Sequence, residues 1–390
     1  MKRCQLLANP KAPGSPISPL PVRTPILKQP SYKAEQILVQ SDLLKDKQYL
    51  AFPITLRVST YEILVSFKRG YKHAHDKESD WQIIRLNPIT AEVSEPVTIT
   101  ERKGVVHENG EWFEHEDGTI DLFLDVQHSG TSKREGLISY RSKDHGHSFQ
   151  PRGKFGLVDG VEYGYAFQGL VDGSTILLLV MTFEYLAGSG GKRAVHVIGS
   201  DDGGTSWHRL RDLTSEFGDI PINETNMIRY GDGLLVITRG YDDAARIHKV
   251  DSDFKLIKQT NLTETYDFMK KYISRPRIFE ADGGHYLIGR NYTKTHPTTL
   301  SEWPMELCFY RIDPDSFEII SYSVLDNAER RLVGDGYYAT PYWQERGGTL
   351  YFNTITYRGI GCHHPDNKHL PVDPYKPDIV RLEFIWDEIR

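Results

Sequence analysis

An all-β fold, a six-bladed β-propeller with four-stranded antiparallel blades, is what this sequence predicts, on three observations. Strand-like apolar runs recur at a regular interval along the 390 residues. Tight-turn pairs join them in twos, among them Asp117-Gly118, Asp172-Gly173, Asp232-Gly233, Asp282-Gly283 and Gly347-Gly348. No segment sustains a helical period. The turns fall near positions 60, 117, 172, 232, 282 and 347, a spacing of about 57 that suits one four-stranded blade with a long connection.

The six units can be taken in order. The first runs Phe52–Val58, turns at Ser59-Thr60 into Tyr61–Lys68, and continues as Trp81–Leu86. The second is Glu111–His115, Thr119–Val126 and Leu137–Arg141. The third is Tyr165–Leu170, Thr175–Phe183 and Val195–Gly199, and the fourth Thr225–Tyr230, Leu234–Arg239 and Arg246–Val250. The fifth is Arg277–Glu280, His285–Arg290 and Leu307–Ile312; the sixth is Thr340–Gln344, Thr349–Tyr357 and Ile379–Ile385. Runs such as Ile176–Met181 are apolar without alternation, as strands covered on both faces should be. Tyr266–Tyr272 is expected to form a short helix.

Residues 1–30 carry Pro10, Pro13, Pro16, Pro19, Pro21, Pro25 and Pro30 and read as an extended arm or as disorder. Residues 31–390 read as a single propeller domain. Within it, Ala34–Ser41 is expected to join the last blade and close the ring, which removes exposed sheet edges.

Composition narrows the function. A formal charge of −6 and 39% hydrophobic residues describe a chain with a large core and no nucleic-acid surface. No apolar run approaches the ~18 residues of a membrane helix, and Met1-Lys2-Arg3 is not followed by the apolar stretch of a signal peptide. The expected location is therefore intracellular unless an export signal has been removed. Cys4, Cys308 and Cys362 form no disulfide framework. Cys362-His363-His364 with His369 reads as a solvated loop rather than a metal site, so no cofactor or metal is expected. Twenty-two Tyr and six Trp suit a sugar-binding surface.

Two strings have the form Ser-x-Asp-x-Gly-x-Ser-aromatic. They are Ser142-Lys143-Asp144-His145-Gly146-His147-Ser148-Phe149 and Ser200-Asp201-Asp202-Gly203-Gly204-Thr205-Ser206-Trp207. Each follows a strand-like run. The Asp can bond amides across a tight turn, the Gly accepts a positive φ, and the aromatic ring folds back on the hairpin. These strings resemble the Asp box, or BNR repeat, of the sialidase-like propellers. In that superfamily the box is structural and joins the third and fourth strands of a blade, far from the active site.

Propeller chemistry gathers where the inner strands begin and the second strands end. The first unit presents Lys68-Arg69-Gly70-Tyr71-Lys72-His73-Ala74-His75-Asp76 there. A His beside a carboxylate is a candidate general acid or base. The second unit presents Asp125, Gln127 and His128, the third Glu162-Tyr163-Gly164-Tyr165, the fourth Glu224 and Arg239, the fifth Arg290, and the sixth Tyr337-Tyr338 and Tyr357-Arg358.

The resemblance implies roles for some of these. Sialidases hold the sugar carboxylate with three arginines and use a Tyr nucleophile assisted by a Glu, with an Asp as acid/base. Glu224 and Arg239 match the Glu and second arginine in order, spacing and strand placement. Asp76 stands where the acid/base would, and Tyr337 or Tyr338 resembles the nucleophile. The first arginine is replaced by Ala51 in Ala51-Phe52-Pro53, and the third is absent where Trp303-Pro304 stands; Arg275, Arg277 or Arg290 could substitute. Losing two guanidiniums forfeits charge-assisted bonds of about 1.5–3 kcal/mol each, so sialic acid is not the expected substrate.

The functional expectation is a carbohydrate-active enzyme, a glycoside hydrolase cleaving a terminal acidic or uronate-linked sugar from an oligosaccharide or polysaccharide. His73, His75, Asp76, Glu224, Tyr337 and Tyr338 are the catalytic candidates. Arg69, Arg239, Arg290, Tyr357, Glu162, Tyr163 and His128 are the substrate-binding ones. The alternatives are a uronate lyase, which the His73–Asp76 loop also resembles, and a non-catalytic glycan-binding propeller. Nothing in the sequence fixes the oligomeric state.

Overall fold

β-Branched and aromatic residues between glycine-bearing turns give 28 strands among the described residues, 26 of them assembled as six blades around an axis and two, Leu157–Val158 and Val161–Glu162, paired as a small separate hairpin. The computed structural model describes residues 24–42, 45, 47–100, 102–131, 133–183, 193–292, 305–327, 333–360 and 376–390. The expected Cys4, Cys362, His363, His364, His369, Trp303 and Pro304 lie outside them.

Blade one is Tyr49–Arg57, Ile63–Gly70, Asp80–Leu86 and Val97–Thr98. Blade two is Val105–Glu114, Ile120–His128, Arg134–Ser142 and Gln150–Lys154. Blade three is Tyr165–Asp172, Thr175–Met181, Val195–Ser200 and His208–Asp212, and blade four Ile222–Tyr230, Gly233–Gly240, Ala245–Val250 and Leu256–Asn261. Blade five is Ser274–Ala281, Gly284–Tyr292, Met305–Ile312 and Ile319–Asn327. In blade six the inner line is split into Val333–Gly336 and Thr340–Arg346, both paired to Thr349–Ile360, which pairs Asp378–Ile385. The outer strand of that blade is Ala34–Val39, antiparallel to Asp378–Ile385, so chain start and chain end share one sheet. Ile26–Lys28 lies parallel to the outer strand of blade five.

Every neighbouring pair of blades encloses an apolar cluster. Leu64, Trp81, Leu122 and Leu124 fill the space between blades one and two, and Tyr286, Phe309, Phe352 and Trp386 that between five and six. Polar stitches run between inner strands as well. Gln168 Oε1 accepts the Met227 amide and Asn226 Oδ1 the Ile278 amide, both at 2.9 Å. These side chains satisfy inner-strand donors that have no ladder partner on the axis side.

Among the described residues, three short helices follow strands, Leu213–Glu216, Leu262–Thr265 and Trp386–Ile389. The helix expected at Tyr266–Tyr272 is not formed. One turn begins earlier instead, capped by Asn261 Oδ1 on the amides of Thr263 and Glu264, and the chain straightens at Tyr266.

Both Ser-x-Asp-x-Gly-x-Ser-aromatic strings turn between the third and fourth strands of their blades and repeat one bonding pattern. Asp144 accepts from Ser142 Oγ, the Ser148 amide and Ser148 Oγ at 2.7, 2.9 and 2.7 Å. Asp202 accepts from Ser200 Oγ, the Ser206 amide and Ser206 Oγ at 2.8, 2.8 and 2.6 Å. Gly146 and Gly204 sit at φ +80° and +79°, where a side chain would be strained. Phe149 and Trp207 pack at the margins of neighbouring clusters.

Candidate functional site

The inner strands of blades one to five share an irregularity close to their starts. Register breaks between Ala51 and Ile54, His107 and Gly110, Ala166 and Gln168, Ile222 and Thr225, and Ser274 and Arg277. Blade six breaks at the equivalent place, between Gly336 and Thr340. A bulge re-aims side chains. Repeated round a ring, it puts Phe52, Glu108, Phe167, Glu224, Arg275 and Tyr338 at equivalent breaks near the starts of the six inner strands. Phe52 and Arg275, each followed by proline, hold φ of +56° and +45°, and Tyr337 holds +72°. Such backbone costs on the order of 1–3 kcal/mol per residue and clusters where function demands it.

Arg239 organises one side. Its Nη1 is 2.6 Å from Glu224 Oε2 and 3.4 Å from the Tyr338 hydroxyl, and its guanidinium lies 4.0 Å above the Tyr272 ring. Glu224 also accepts the Arg275 amide at 2.8 Å. Burial pushes the Glu224 carboxyl up, but Arg239, Arg275 and these bonds outweigh it and bring its pKa down to about 2. Glu224 is therefore ionised in the resting, ligand-free site at neutral pH. Burial, reinforced by Glu224, holds Tyr338 well above the usual phenol range, so its hydroxyl is neutral. Arg290 stacks on Tyr338 at 5.1 Å, donating to Gly336 O at 3.0 Å and Ser274 Oγ at 3.2 Å.

Beneath lies a second ionic group. Glu111 Oε2 receives Arg277 at 2.9 Å and Arg275 at 3.3 Å, and Arg275 Nη1 also bonds the Tyr165 hydroxyl at 2.8 Å. All four side chains are buried. The facing wall is aromatic. Phe52 lies 5.3 Å from Tyr338, 5.4 Å from Tyr357 and 5.0 Å from the His73 ring, and Tyr49 OH is 3.0 Å from His73 Nδ1. In blade two, buried Asp125 receives Gln127 and Arg134 at 3.1 Å each. Burial raises the Asp125 pKa to about 6, with Glu108 adding to the rise against Arg134.

Of the expected residues, Glu224, Arg239, Arg290, Tyr338, Tyr357 and His73 are brought together. Tyr337 turns the other way, into the apolar cluster between blades five and six. The Asp76 carboxylate is buried inside its own loop, on the amides of Tyr71, Lys72 and Lys77, while His75 is exposed. Arg69 faces a groove between blade one and the outer strand of blade six and pairs with Asp80 at 3.2 Å. His128 pairs with Glu135 at 3.3 Å, Glu162 with Lys154, and Tyr163 OH with His196 Nδ1 at 2.8 Å. These last four stand apart from the Arg239 cluster. Glu108, Glu111 and Tyr272 were not among the expected residues, and Lys68 and Tyr165, present in the expected loop strings, had been given no role. The proline after Phe52 and after Arg275, inside inner strands, was the available signal for a bulge.

No family model matches the chain, and no curated protein sequence does. Solved structures do match. A protein of unknown function from Dyadobacter fermentans aligns with a TM-score of 0.65 at 14% identity, over 91% of this chain and 99% of that one. The NanB sialidase of Streptococcus pneumoniae aligns at 0.60 and 12% identity, over 91% and 71%. A Trypanosoma rangeli sialidase in complex with sialic acid aligns at 0.58 and 9% identity, over 93% of this chain and 60% of its own. At such identities the likeness is one of architecture: this chain has the fold of the sialidase-like propellers.

Proposed function

We propose that the protein is a carbohydrate-active enzyme, a glycoside hydrolase that takes a terminal acidic or uronate-linked sugar into the ring of bulges. The observation that carries this reading is the placement of Arg239 Nη1 between the Glu224 carboxylate and the Tyr338 hydroxyl. A neutral phenol can approach an anionic sugar without charge repulsion, and an ionised carboxylate beside it can stabilise the cationic character that develops at the anomeric carbon. Arg239 and Arg290, both on Tyr338, supply positive charge for an acidic group. Tyr338 is the tyrosine we assign to attack; Tyr337 supports the blade. Ala51 stands where the resemblance would place an arginine, and Phe52 beside it makes the wall aromatic, which favours a ligand with an apolar face there over a sialoside.

The Tyr49–His73 contact favours a second reading, elimination from a uronate, since a His–Tyr pair can abstract a proton α to a carboxyl. One screen separates the readings. Acidic oligosaccharides are incubated with the wild type and with Glu224→Gln, and reducing ends and unsaturated-uronate absorbance are followed. Hydrolysis predicts new reducing ends, no unsaturated product, and loss of turnover in Glu224→Gln. Absorbance growth would select elimination. Binding of a glycan without any product would select the non-catalytic alternative.

A further inference from the structure

Lys68, near the end of the second strand of blade one, is wholly buried, which for an ammonium demands full compensation. Its Nζ lies 2.6 Å from Glu108 Oε2 and 3.4 Å from Asp76 Oδ2, and it donates to the carbonyls of Lys72 at 3.0 Å and His73 at 3.2 Å. Asp76, equally buried, accepts the amides of Tyr71, Lys72 and Lys77 at 2.9, 3.3 and 2.8 Å. A Cβ on Gly70 would fall 2.3 Å from Asp76 Oδ2 and 2.8 Å from Lys68 Cε, so this knot has no spare volume.

A turn of this length can be closed by a hydroxyl or an amide; a buried ion pair fixes it more rigidly and at greater cost. What the knot fixes is His73. Its carbonyl is held by Lys68, its ring nitrogen by Tyr49, and its ring lies against Phe52, whose ring also packs on Tyr338. His73 is half-buried, where Asp76 is not exposed at all.

We propose that Lys68 and Asp76 are positioning residues that hold His73 as the proton-transfer group of the site. This rests on the hydrolytic reading above. As Tyr338 bonds to the anomeric carbon its proton passes to Glu224, the glycosidic C–O bond breaks with its electron pair on the leaving oxygen, and protonated His73 gives that oxygen its proton. Water then attacks the same carbon and its proton returns to His73, while the departing Tyr338 oxygen recovers its proton from Glu224.

The test uses the full chain with 4-nitrophenyl and methyl glycosides of glucuronic acid, galacturonic acid and rhamnose. General-acid help is worth about 10²–10⁴-fold and is needed most by the poorer leaving group. His73→Ala should therefore lose at least about 100-fold on a methyl glycoside and less than about 10-fold on the nitrophenyl one, with added imidazole restoring part of the loss. Lys68→Met and the isosteric Asp76→Asn, each shown folded by circular dichroism, should lower kcat on the methyl glycoside with KM nearly unchanged. Both should also displace the limb of the pH–rate profile that His73→Ala abolishes. Equal loss on both leaving groups without imidazole rescue, or folded Lys68→Met and Asp76→Asn with wild-type kcat and pH profile, overturns the proposal while leaving the hydrolase standing. A wild type inert toward the whole panel overturns both.

Discussion

Arg239 and Tyr338 come from blades four and six, 99 positions apart in the chain, yet the guanidinium Nη1 lies 3.4 Å from the phenol oxygen while bonding Glu224 at 2.6 Å. No blade could build this alone. It depends on the register breaks repeated at the starts of the inner strands.

Removing Glu224 charge by Glu224→Gln keeps the side-chain shape but leaves Arg239 without its buried counter-ion. Breaking such a pair costs about 3–5 kcal/mol, and Glu224→Gln should lower both Tm and turnover. The sign of the pH effect follows from the depressed pKa. Glu224 contributes stability that is present above its unfolded value of 4.5 and lost as pH falls toward about 2. Acid unfolding of the wild type below pH 4 should be steeper than that of Glu224→Gln, and equal steepness would remove Glu224 from the account.

Asp125 carries the opposite sign. Its folded pKa of about 6 exceeds the ordinary 3.8, so its stabilising contribution is present below about pH 4 and is lost as pH rises through 6. The wild type should therefore lose Tm between pH 4 and 7 relative to Asp125→Asn. A constant difference between the two across that range contradicts the assignment.

The turn in blade two supplies a control far from the ring of bulges. Asp144 is brought to about 2, its burial outweighed by bonds from Ser148 and Ser142. Asp144→Ala should lower Tm by about 2–4 °C and leave kcat and KM unchanged. A change in KM would mean that this turn reaches the site.

Gly70→Ala probes the Lys68–Asp76 knot through sterics alone. The new Cβ would be 2.3 Å from Asp76 Oδ2, a contact that forces the loop to shift. Turnover should fall with little change in overall Tm, read by activity and by thermal melting of the same sample.

The blades were legible in the sequence because each hairpin turn needs special backbone and each strand needs apolar cover. The inner-strand starts were not. Blade two was read from Glu111 and begins at Val105; blade four was read from Thr225 and begins at Ile222. At a bulge the alternation fails, and Glu108-Asn109 or Asn223-Glu224 looks like loop because it is polar. Glu108, which lies at such a break, was hidden by that failure, whereas Glu224 was found through the resemblance. Outer strands such as Gln150–Lys154 were missed for a different reason: every residue is exposed, so no hydrophobic period exists to read. Of the two candidate tyrosines, order along the chain could not choose. The positive φ at Tyr337 sends adjacent rings to different blades' clusters, and only the folded backbone reveals which faces Arg239.

The central claim is that Tyr338, Glu224 and Arg239 form one centre of sugar chemistry. Its most direct test is the kcat of Tyr338→Phe beside Tyr337→Phe on whichever acidic or uronate-linked glycoside the wild type cleaves. Tyr338→Phe should lose at least about 100-fold, the scale expected for removing a participating group, while Tyr337→Phe stays within about threefold. Equal turnover by Tyr338→Phe and the wild type, or a larger loss in Tyr337→Phe, would contradict it.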